Sequence, residues 1–190
     1  MKTVLFVPGF KENLNSRNYK STLDAIKSKG YKVKFVSINW ERTVIDDWVN
    51  ELDKEYSKYC PKDVVLAGFS FGSMTAFVSA VKQNPNALWL FSFSPYFSDD
   101  MPKLKKAWLA YIGHRGASLF NNLDFDSLAK SIKCKTLIFY GELEARKYPL
   151  IGNRSKIAKR HIKNSKLIEV LNSGHDVSNE NYIKAIQANI

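Results

Sequence analysis

The chain has 190 residues, of which 45% are apolar and 25% charged, and its formal net charge is +11. This length favours one domain over residues 1–190, and this apolar content excludes a disordered chain. No stretch is long and apolar enough to predict a transmembrane helix. The short apolar run at the amino terminus has no small-residue cleavage site after it, so we expect a first strand there and a cytoplasmic protein.

Short apolar runs alternate with helical patterns along the chain. Several of the runs are continuously apolar and rich in Val, Ile, Leu and Phe, which is typical of strands covered on both faces of a parallel sheet. The alternation predicts a three-layer α/β/α sandwich around a six-stranded, mainly parallel sheet. The predicted strands cover residues 3–7, 33–38, 63–68, 87–93, 136–140 and 166–171.

The helical patterns differ in strength. The clearest helix begins at Ile45, because apolar residues recur every three or four positions as far as Tyr59. A helix over 71–82 and a short, very basic helix over 154–163 are also predicted. Residues 95–133 are too long for a simple crossover and carry two further helical patterns. We expect a helical, lid-like insert there, the alternative being a surface segment without a gating role.

The third predicted strand runs directly into Gly68-Phe69-Ser70-Phe71-Gly72, and a helical pattern follows at once. A Gly-x-Ser-x-Gly motif between a strand and a helix is the signature of a nucleophile elbow, a sharp turn that exposes the serine hydroxyl at the end of a sheet. The two glycines allow the backbone to fold that tightly. Ser70 is therefore predicted to be a nucleophile, the alternative being an ordinary glycine-rich turn.

A serine hydroxyl needs a base to accept its proton. Among the three histidines, His175 follows the last predicted strand, so it belongs to the same carboxyl edge of the sheet as Ser70. The base in turn needs a carboxylate partner. Four carboxylates follow predicted strands: Glu142 and Glu144 after the fifth, and Asp99 and Asp100 after the fourth. The residues alone leave the choice among them open.

In the nucleophile elbow, and in the order of serine, acid and histidine, the chain resembles the α/β-hydrolases. The stretch 132–142 is similar to that family's penultimate strand, after which the acid stands three residues beyond the glycine. The resemblance therefore implies Glu144 as the acid, although the family more often has Asp. It also implies a sheet without the family's first two strands, because the chain begins at the strand before the oxyanion loop.

The resemblance further implies an oxyanion hole made of two backbone N–H groups. They belong to Phe71, which follows the nucleophile, and to Phe10 in the segment Val7-Pro8-Gly9-Phe10, where Pro8 replaces a common His. The implied activity is hydrolysis of a small-molecule carboxylic ester or thioester through an acyl-enzyme on Ser70. Two other functions stay open, a non-catalytic ligand-binding protein on the same fold and an acyltransferase that uses the same triad.

The remaining composition limits cofactors and partners. Neither a dinucleotide-binding motif nor a phosphate-binding loop occurs, the histidine and cysteine spacings predict no metal site, and the triad chemistry needs no cofactor. No nucleic-acid-binding motif accompanies the positive charge. Aromatic residues near the predicted strand ends favour an acyl chain or an aromatic ester. The basic segment 146–166 is expected to be a solvated helix, with weak contact to anionic surfaces as the alternative.

Overall fold

A computed structural model describes residues 1–16 and 19–190 of the chain, without the side chains of Trp108 and Tyr111. The strands are β1 (Thr3–Val7), β2 (Lys32–Phe35), β3 (Val64–Phe69), β4 (Ala87–Phe91), β5 (Lys135–Gly141) and β6 (Ser165–Val170). They form one sheet in the order β2-β1-β3-β4-β5-β6. Every neighbouring pair is parallel, so the predicted six-stranded sheet is confirmed and is parallel throughout.

Helices follow the strands as the sequence alternation predicts. They are α1 (Tyr19–Lys27), α2 (Ile45–Tyr56), α3 (Phe71–Gln83), α4 (Lys106–Asn121), α5 (Phe125–Ser131), α6 (Glu142–Lys147), α7 (Pro149–His161) and α8 (Glu180–Asn189). The basic helix α7 begins five residues earlier than the predicted 154–163. Its start is set by Pro149, whose fixed φ and missing N–H suit the first turn of a helix. The short helix α6 was not predicted from the pattern.

Alternating side chains of the four inner strands enter two separate cores. Leu5 and Val7 of β1 pack on one face of the sheet, whereas Val4 and Phe6 pack on the other. The first face is covered by α2, α3, α4, α5 and α7, and the second by α1 and α8. Burial on both faces explains why the four inner strands read as apolar runs, whereas the edge strands β2 and β6 are partly exposed and contain charged residues.

The order of the strands creates a crevice between β1 and β3. The chain leaves β1 toward β2 on one side and returns to β3 on the other, so the connections that follow β1 and β3 diverge. Ligands of open parallel sheets bind at such a switch point, outside the carboxyl ends of the strands. The segment with Phe10 follows β1, and Ser70 follows β3 directly.

The segment between β4 and β5 is helical, as predicted, and consists of α4 and α5 with a short 3₁₀ turn at Met101–Lys103. Gly113 divides α4, since its φ of 72° and ψ of 166° are not helical. This break falls at the first of the two glycines in Gly113-His114-Arg115-Gly116. The gating role of the segment stays a prediction.

One residue of α7 corrects the prediction of a fully solvated basic helix. The Arg154 side chain is completely buried and makes ion pairs of 2.8 Å with Asp99 and 2.6 Å with Asp100. Its guanidinium also lies 4.4 Å from the ring centroid of Phe125 and 5.1 Å from that of Phe97. Arg154 therefore joins α7 to both ends of the inserted segment. Its charge is compensated inside the protein, as a buried charge requires.

Candidate active site

Ser70 lies on a sharp turn between β3 and α3. Its backbone has φ 57° and ψ −120°, a conformation that residues other than glycine rarely adopt. The turn lies close to the end of β1. A Cβ added at Gly72 would lie only 2.3 Å from the carbonyl oxygens of both Val7 and Pro8, so only glycine fits there. The Ser73 hydroxyl accepts a hydrogen bond from Phe91 N–H at 3.0 Å, which fixes the turn to β4. This geometry agrees with the predicted elbow.

His175 lies beside Ser70 although 105 positions separate them. Its Nε2 is 3.1 Å from the Ser70 Oγ, a hydrogen-bonding distance. The imidazole also packs on the Phe69 ring, with the ring centroids 4.6 Å apart. About a quarter of the His175 side chain, 27%, is exposed. One face of the ring is therefore supported by the protein, while part of the ring remains open to solvent.

Glu144, on α6, contacts the other nitrogen of the same imidazole. Its Oε1 makes a short hydrogen bond with His175 Nδ1, and its side chain is completely buried. The second oxygen, Oε2, accepts hydrogen bonds from the Gly141 N–H at 3.1 Å and from the Ser92 hydroxyl at 2.9 Å. With both oxygens occupied, the carboxylate has a fixed orientation toward His175.

The other candidate carboxylates are directed elsewhere. Glu142 makes an ion pair with Arg146 and accepts a hydrogen bond from the Asn172 N–H at 3.1 Å. Asp99 and Asp100 pair with Arg154, as described above. Glu144 is therefore the carboxylate that the structure brings to His175.

The two other histidines lie outside this group. His114 is exposed on α4. His161, at the end of α7, is 3.1 Å from the Asp126 carboxylate of α5.

Three polar residues around the site were missed by the sequence reasoning. Ser92 binds Glu144 and lies 3.1 Å from the Tyr182 hydroxyl, and Ser94 Oγ lies 3.3 Å from Ser70 Oγ. All three are at least 95% buried. A signal for the two serines was present, since polar residues directly follow the buried fourth strand at the carboxyl edge. Tyr182 carried none, because it fits the apolar face of a terminal helix.

Phe10 and Phe71, the two residues expected to provide backbone N–H groups, lie next to each other. Their ring centroids are 5.3 Å apart. Phe71 is the first residue of α3, so its N–H belongs to the helix amino terminus, where backbone N–H groups lack helical acceptors. On the other side, Gly9 directly precedes Phe10. The Gly9 N–H donates a hydrogen bond to the Tyr19 hydroxyl at 3.0 Å, which fixes the loop after β1.

A cleft of about 770 Å³ borders Phe10 on the side of the sheet that carries α2. Phe10, Ile38, Trp40 and Ile112 form its apolar lining. Polar and charged side chains, among them Arg42, complete the lining. A concave, partly apolar volume of this size fits a small organic ligand. Phe69 and Phe97, two of the aromatic residues near predicted strand ends, are instead fully buried core residues.

A second cavity, of about 560 Å³, lies against α7 and is separate from the residues around Ser70. Four cationic side chains contribute to its lining: Lys103, Lys156, Lys159 and Arg160. Three of these side chains, Lys156, Lys159 and Arg160, belong to the basic segment 146–166. Its contact with an anionic surface stays a prediction.

Two features are absent from the described residues, 1–16 and 19–190. No helix among them has the length and apolar character needed to cross a membrane. Nor do they contain a group of three or more His, Cys, Asp or Glu side chains arranged to hold a metal ion.

Comparisons with known proteins give structural similarity without sequence similarity. No family model and no curated protein sequence matches the chain. Among solved structures, Est1E from Butyrivibrio proteoclasticus has a TM-score of 0.80 at 15% identity, over 98% of this chain and 84% of its own. MenH from S. aureus has a TM-score of 0.69 at 18% identity, over 98% and 91%. Dienelactone hydrolase from Anabaena variabilis has a TM-score of 0.70 at 15% identity, over 99% and 82%. The parallel sheet, the helices on both of its faces and these similarities show that the chain has the α/β-hydrolase fold.

Proposed function

We propose that the protein is a serine hydrolase that cleaves carboxylic esters or thioesters through an acyl-enzyme on Ser70. The observation that carries the proposal is the continuous hydrogen-bonded series from Ser70 Oγ through the His175 imidazole to the Glu144 carboxylate. A nucleophile, a base in contact with it and a carboxylate that orients the base form a catalytic triad. The hydrolases and esterases with this fold support the same class of reaction.

In the acylation half of the reaction, the Ser70 oxygen attacks the carbonyl carbon, and His175 Nε2 accepts the hydroxyl proton. Glu144 stabilises the resulting imidazolium through Nδ1 and keeps Nε2 directed at Ser70. When the tetrahedral intermediate collapses, the bond to the alcohol or thiol breaks. The leaving group receives the proton from His175, and the acyl group remains on Ser70.

In the deacylation half, water takes the place of the leaving group. His175 Nε2 accepts a proton from the water as its oxygen attacks the acyl carbon. Collapse of the second intermediate breaks the bond to Ser70, whose oxygen recovers the proton. The carboxylic acid product then leaves, and no external oxidant, metal or cofactor is required for these steps.

The oxyanion that forms in each intermediate requires hydrogen-bond donors that are fixed in advance. We assign this role to the backbone N–H groups of Phe10 and Phe71, which belong to adjacent residues on the two sides of the crevice. Two such donors stabilise charge that is absent from the ground-state carbonyl and develops toward the intermediate, and each is worth about 3–4 kcal/mol.

The cleft beside Phe10 supports an acyl or alcohol group with apolar or aromatic character. Its lining includes Phe10 and Trp40, whose ring centroids are 5.4 Å apart, together with Ile38 and Ile112. Est1E, a similar solved structure, has also been described with ferulic acid bound, which is an aromatic acid. We therefore place aromatic esters first among candidate substrates.

Covalent labelling with a fluorophosphonate probe tests the nucleophile. The wild-type protein should be labelled and Ser70→Ala should not. Ser94→Ala removes the neighbouring hydroxyl, 3.3 Å from Ser70 Oγ, and should be labelled at a rate within about tenfold of wild type. Absence of labelling in folded wild-type protein would refute the proposal. Equal labelling of Ser70→Ala would assign the nucleophile elsewhere.

A substrate survey then separates the reaction types. p-Nitrophenyl esters of increasing chain length, a hydroxycinnamate methyl ester and acyl-CoA thioesters should be hydrolysed by wild type and not by Ser70→Ala. Added alcohols and amines distinguish hydrolysis from acyl transfer, because a transferase forms the new ester or amide in preference to the acid. If the probe labels Ser70 but none of these substrates is turned over, the result would favour the alternative of a non-catalytic ligand-binding protein on this fold.

A further inference from the structure

The carboxylate of Glu144 is the end of the proposed triad but not the end of the hydrogen-bonded series. Ser92 donates to Glu144 Oε2 at 2.9 Å, and the Tyr182 hydroxyl lies 3.1 Å from Ser92 Oγ. An ionised carboxylate only accepts hydrogen bonds, so the single Ser92 proton is directed to Glu144. The Tyr182 hydroxyl must then donate to Ser92, and the series continues from α8 to the nucleophile.

The backbone of Ser92 indicates that this arrangement is imposed by its surroundings. Ser92 directly follows β4 and has φ 51°, in the left-handed region that residues other than glycine rarely occupy. Its N–H is held by the Phe139 carbonyl at 2.8 Å, which extends the parallel ladder by one residue. Ser70 has φ 57° at the equivalent place after β3. Strained backbone of this kind persists where a functional arrangement depends on it.

We infer that Ser92 and Tyr182 are positioning residues that keep the Glu144 carboxylate ionised and directed at His175. This inference rests on the proposed function of Ser70, His175 and Glu144. Glu144 and Tyr182 are almost completely buried, at 1% and 0% exposure, so water does not replace these hydrogen bonds. A buried carboxylate with fewer donors takes up a proton more readily, and a protonated Glu144 no longer stabilises an imidazolium.

The titratable groups around Glu144 come from three elements. His175 belongs to the loop after β6, and Tyr182 to α8, where burial and the Glu144 charge raise the pKa of its hydroxyl far above the usual value. Glu142, on the same helix, is paired with Arg146. Asp176, next to His175, accepts hydrogen bonds from the Ser178 N–H at 2.9 Å and hydroxyl at 2.6 Å. Because its pKa is raised, the Tyr182 hydroxyl keeps its proton at neutral pH and can donate it to Ser92.

Two substitutions remove the hydroxyls while preserving the backbone. Ser92→Gly suits a positive φ, so the lost hydroxyl is its main consequence. Tyr182→Phe keeps the ring that packs among the aromatic residues of the second core. Tyr56→Phe is the matched control, because the Tyr56 hydroxyl binds the Gln83 carbonyl at 3.0 Å, away from the triad. Thermal melting of each variant checks that the fold is retained.

Titration of His175 followed by NMR of ring-labelled histidine tests the inference without relying on turnover. His114→Gln and His161→Gln assign the signals of the three histidines. In Ser92→Gly, the midpoint of the His175 transition should move to lower pH by about one unit, because a Glu144 that is more easily protonated stabilises the imidazolium less, and one hydrogen bond to a charged group has about this effect. Tyr182→Phe should shift it in the same direction by less, and Tyr56→Phe should leave it unchanged.

The activity of the same variants provides the second readout. In Ser92→Gly, kcat should fall by about 10- to 100-fold with KM nearly unchanged, and the acidic limb of kcat/KM should follow the shifted midpoint. The double variant should resemble Ser92→Gly, because Tyr182 acts through Ser92. Identical His175 titrations in wild type and Ser92→Gly would overturn the inference. A shifted titration in a protein that the fluorophosphonate does not label would refute the proposed function and leave the positioning role standing.

Discussion

Glu144 and Glu142 are two residues apart on α6, and their carboxylates have different partners. Glu144 is buried and contacts His175, whereas the Glu142 side chain is 20% exposed and pairs with Arg146. Successive helical residues are separated by about 100°, so positions i and i+2 lie on nearly opposite sides of a helix. The helix α6 therefore directs one of the two glutamates into the protein and the other toward the surface.

This difference predicts opposite outcomes for two isosteric substitutions. Glu144→Gln should lower kcat/KM for an activated ester by about 10³- to 10⁴-fold, because a neutral amide neither fixes the required tautomer nor stabilises the imidazolium. Glu142→Gln should change kcat/KM by less than about threefold. Steady-state kinetics of both variants against wild type measure the effect. A larger loss in Glu142→Gln would assign the acid to the other glutamate.

The sequence was sufficient for the sheet and the placement of Ser70 and His175, because these depend on local patterns. Apolar runs predict the strands; Ser70 directly follows β3, and His175 lies in the loop after β6. The choice between Glu142 and Glu144 required coordinates or a family resemblance. It depends on the start of α6, a helix of six residues that is too short to produce a periodic pattern.

Arg154 and Tyr182 show a second limit of sequence reasoning. Arg154 belongs to a run of basic residues, and its neighbours Lys156, Lys159 and Arg160 are exposed as expected. Its burial depends on Asp99 and Asp100, which are distant in the chain and meet it only in the folded protein. Tyr182 likewise fits an apolar helix face, and its hydroxyl acquires a partner only through the contact of α8 with the end of β4.

The close contact between the nucleophile elbow and β1 predicts a severe effect of Gly72→Ala. The new Cβ would meet two backbone carbonyl oxygens at 2.3 Å, and neither can move without displacing β1. We expect loss of labelling by the fluorophosphonate and a free energy of unfolding lower by more than about 4 kcal/mol, the exceptional range for one substitution. Urea unfolding and probe labelling measure the two effects.

Gly116→Ala is the control for this prediction. A Cβ there would lie 3.6 Å from the Ile112 Cβ, an ordinary contact within α4. Alanine favours a helix over glycine by about 1 kcal/mol, so Gly116→Ala should leave stability unchanged or raise it. Equal destabilisation by both substitutions would show that the close contact at Gly72 is not the cause.

The buried ion pairs of Arg154 predict that the stability of the protein depends on this contact between α7 and the inserted segment. Arg154→Met removes the charge but retains an apolar chain, and it leaves the buried Asp100 without its ion-pair partner. Breaking a buried pair in this way costs about 3–5 kcal/mol. Arg160→Met, an exposed position on the same helix, should change stability by less than about 0.5 kcal/mol. Urea unfolding of the two variants compares them.

A third variant tests the electrostatic cause. Burial raises the pKa of the Asp100 carboxyl, and the neighbouring Arg154 opposes that shift. If the cost of Arg154→Met arises from an uncompensated carboxylate, then Asp100→Asn in the same chain should recover part of the lost stability. No recovery would indicate that lost packing against Phe97 and Phe125 explains the effect.

Two buried tyrosines predict how stability depends on alkaline pH. Burial raises the pKa of Tyr56 and of Tyr140 to about 12. In the unfolded chain these hydroxyls lose their protons near pH 10. Between about pH 10 and pH 12 the folded state therefore holds more protons than the unfolded state, and stability falls as the pH rises. Their contribution is fully present below pH 10.

Urea unfolding at intervals between pH 9 and pH 12 measures this slope. Tyr56→Phe and Tyr140→Phe should each make the decline shallower, because phenylalanine has no proton to lose in the unfolded chain. Tyr148→Phe is the control, since its side chain is 39% exposed, and its curve should parallel that of wild type. If the slope above pH 10 is unchanged in the Tyr56→Phe Tyr140→Phe double variant, the two hydroxyls are not the groups whose burial links stability to pH.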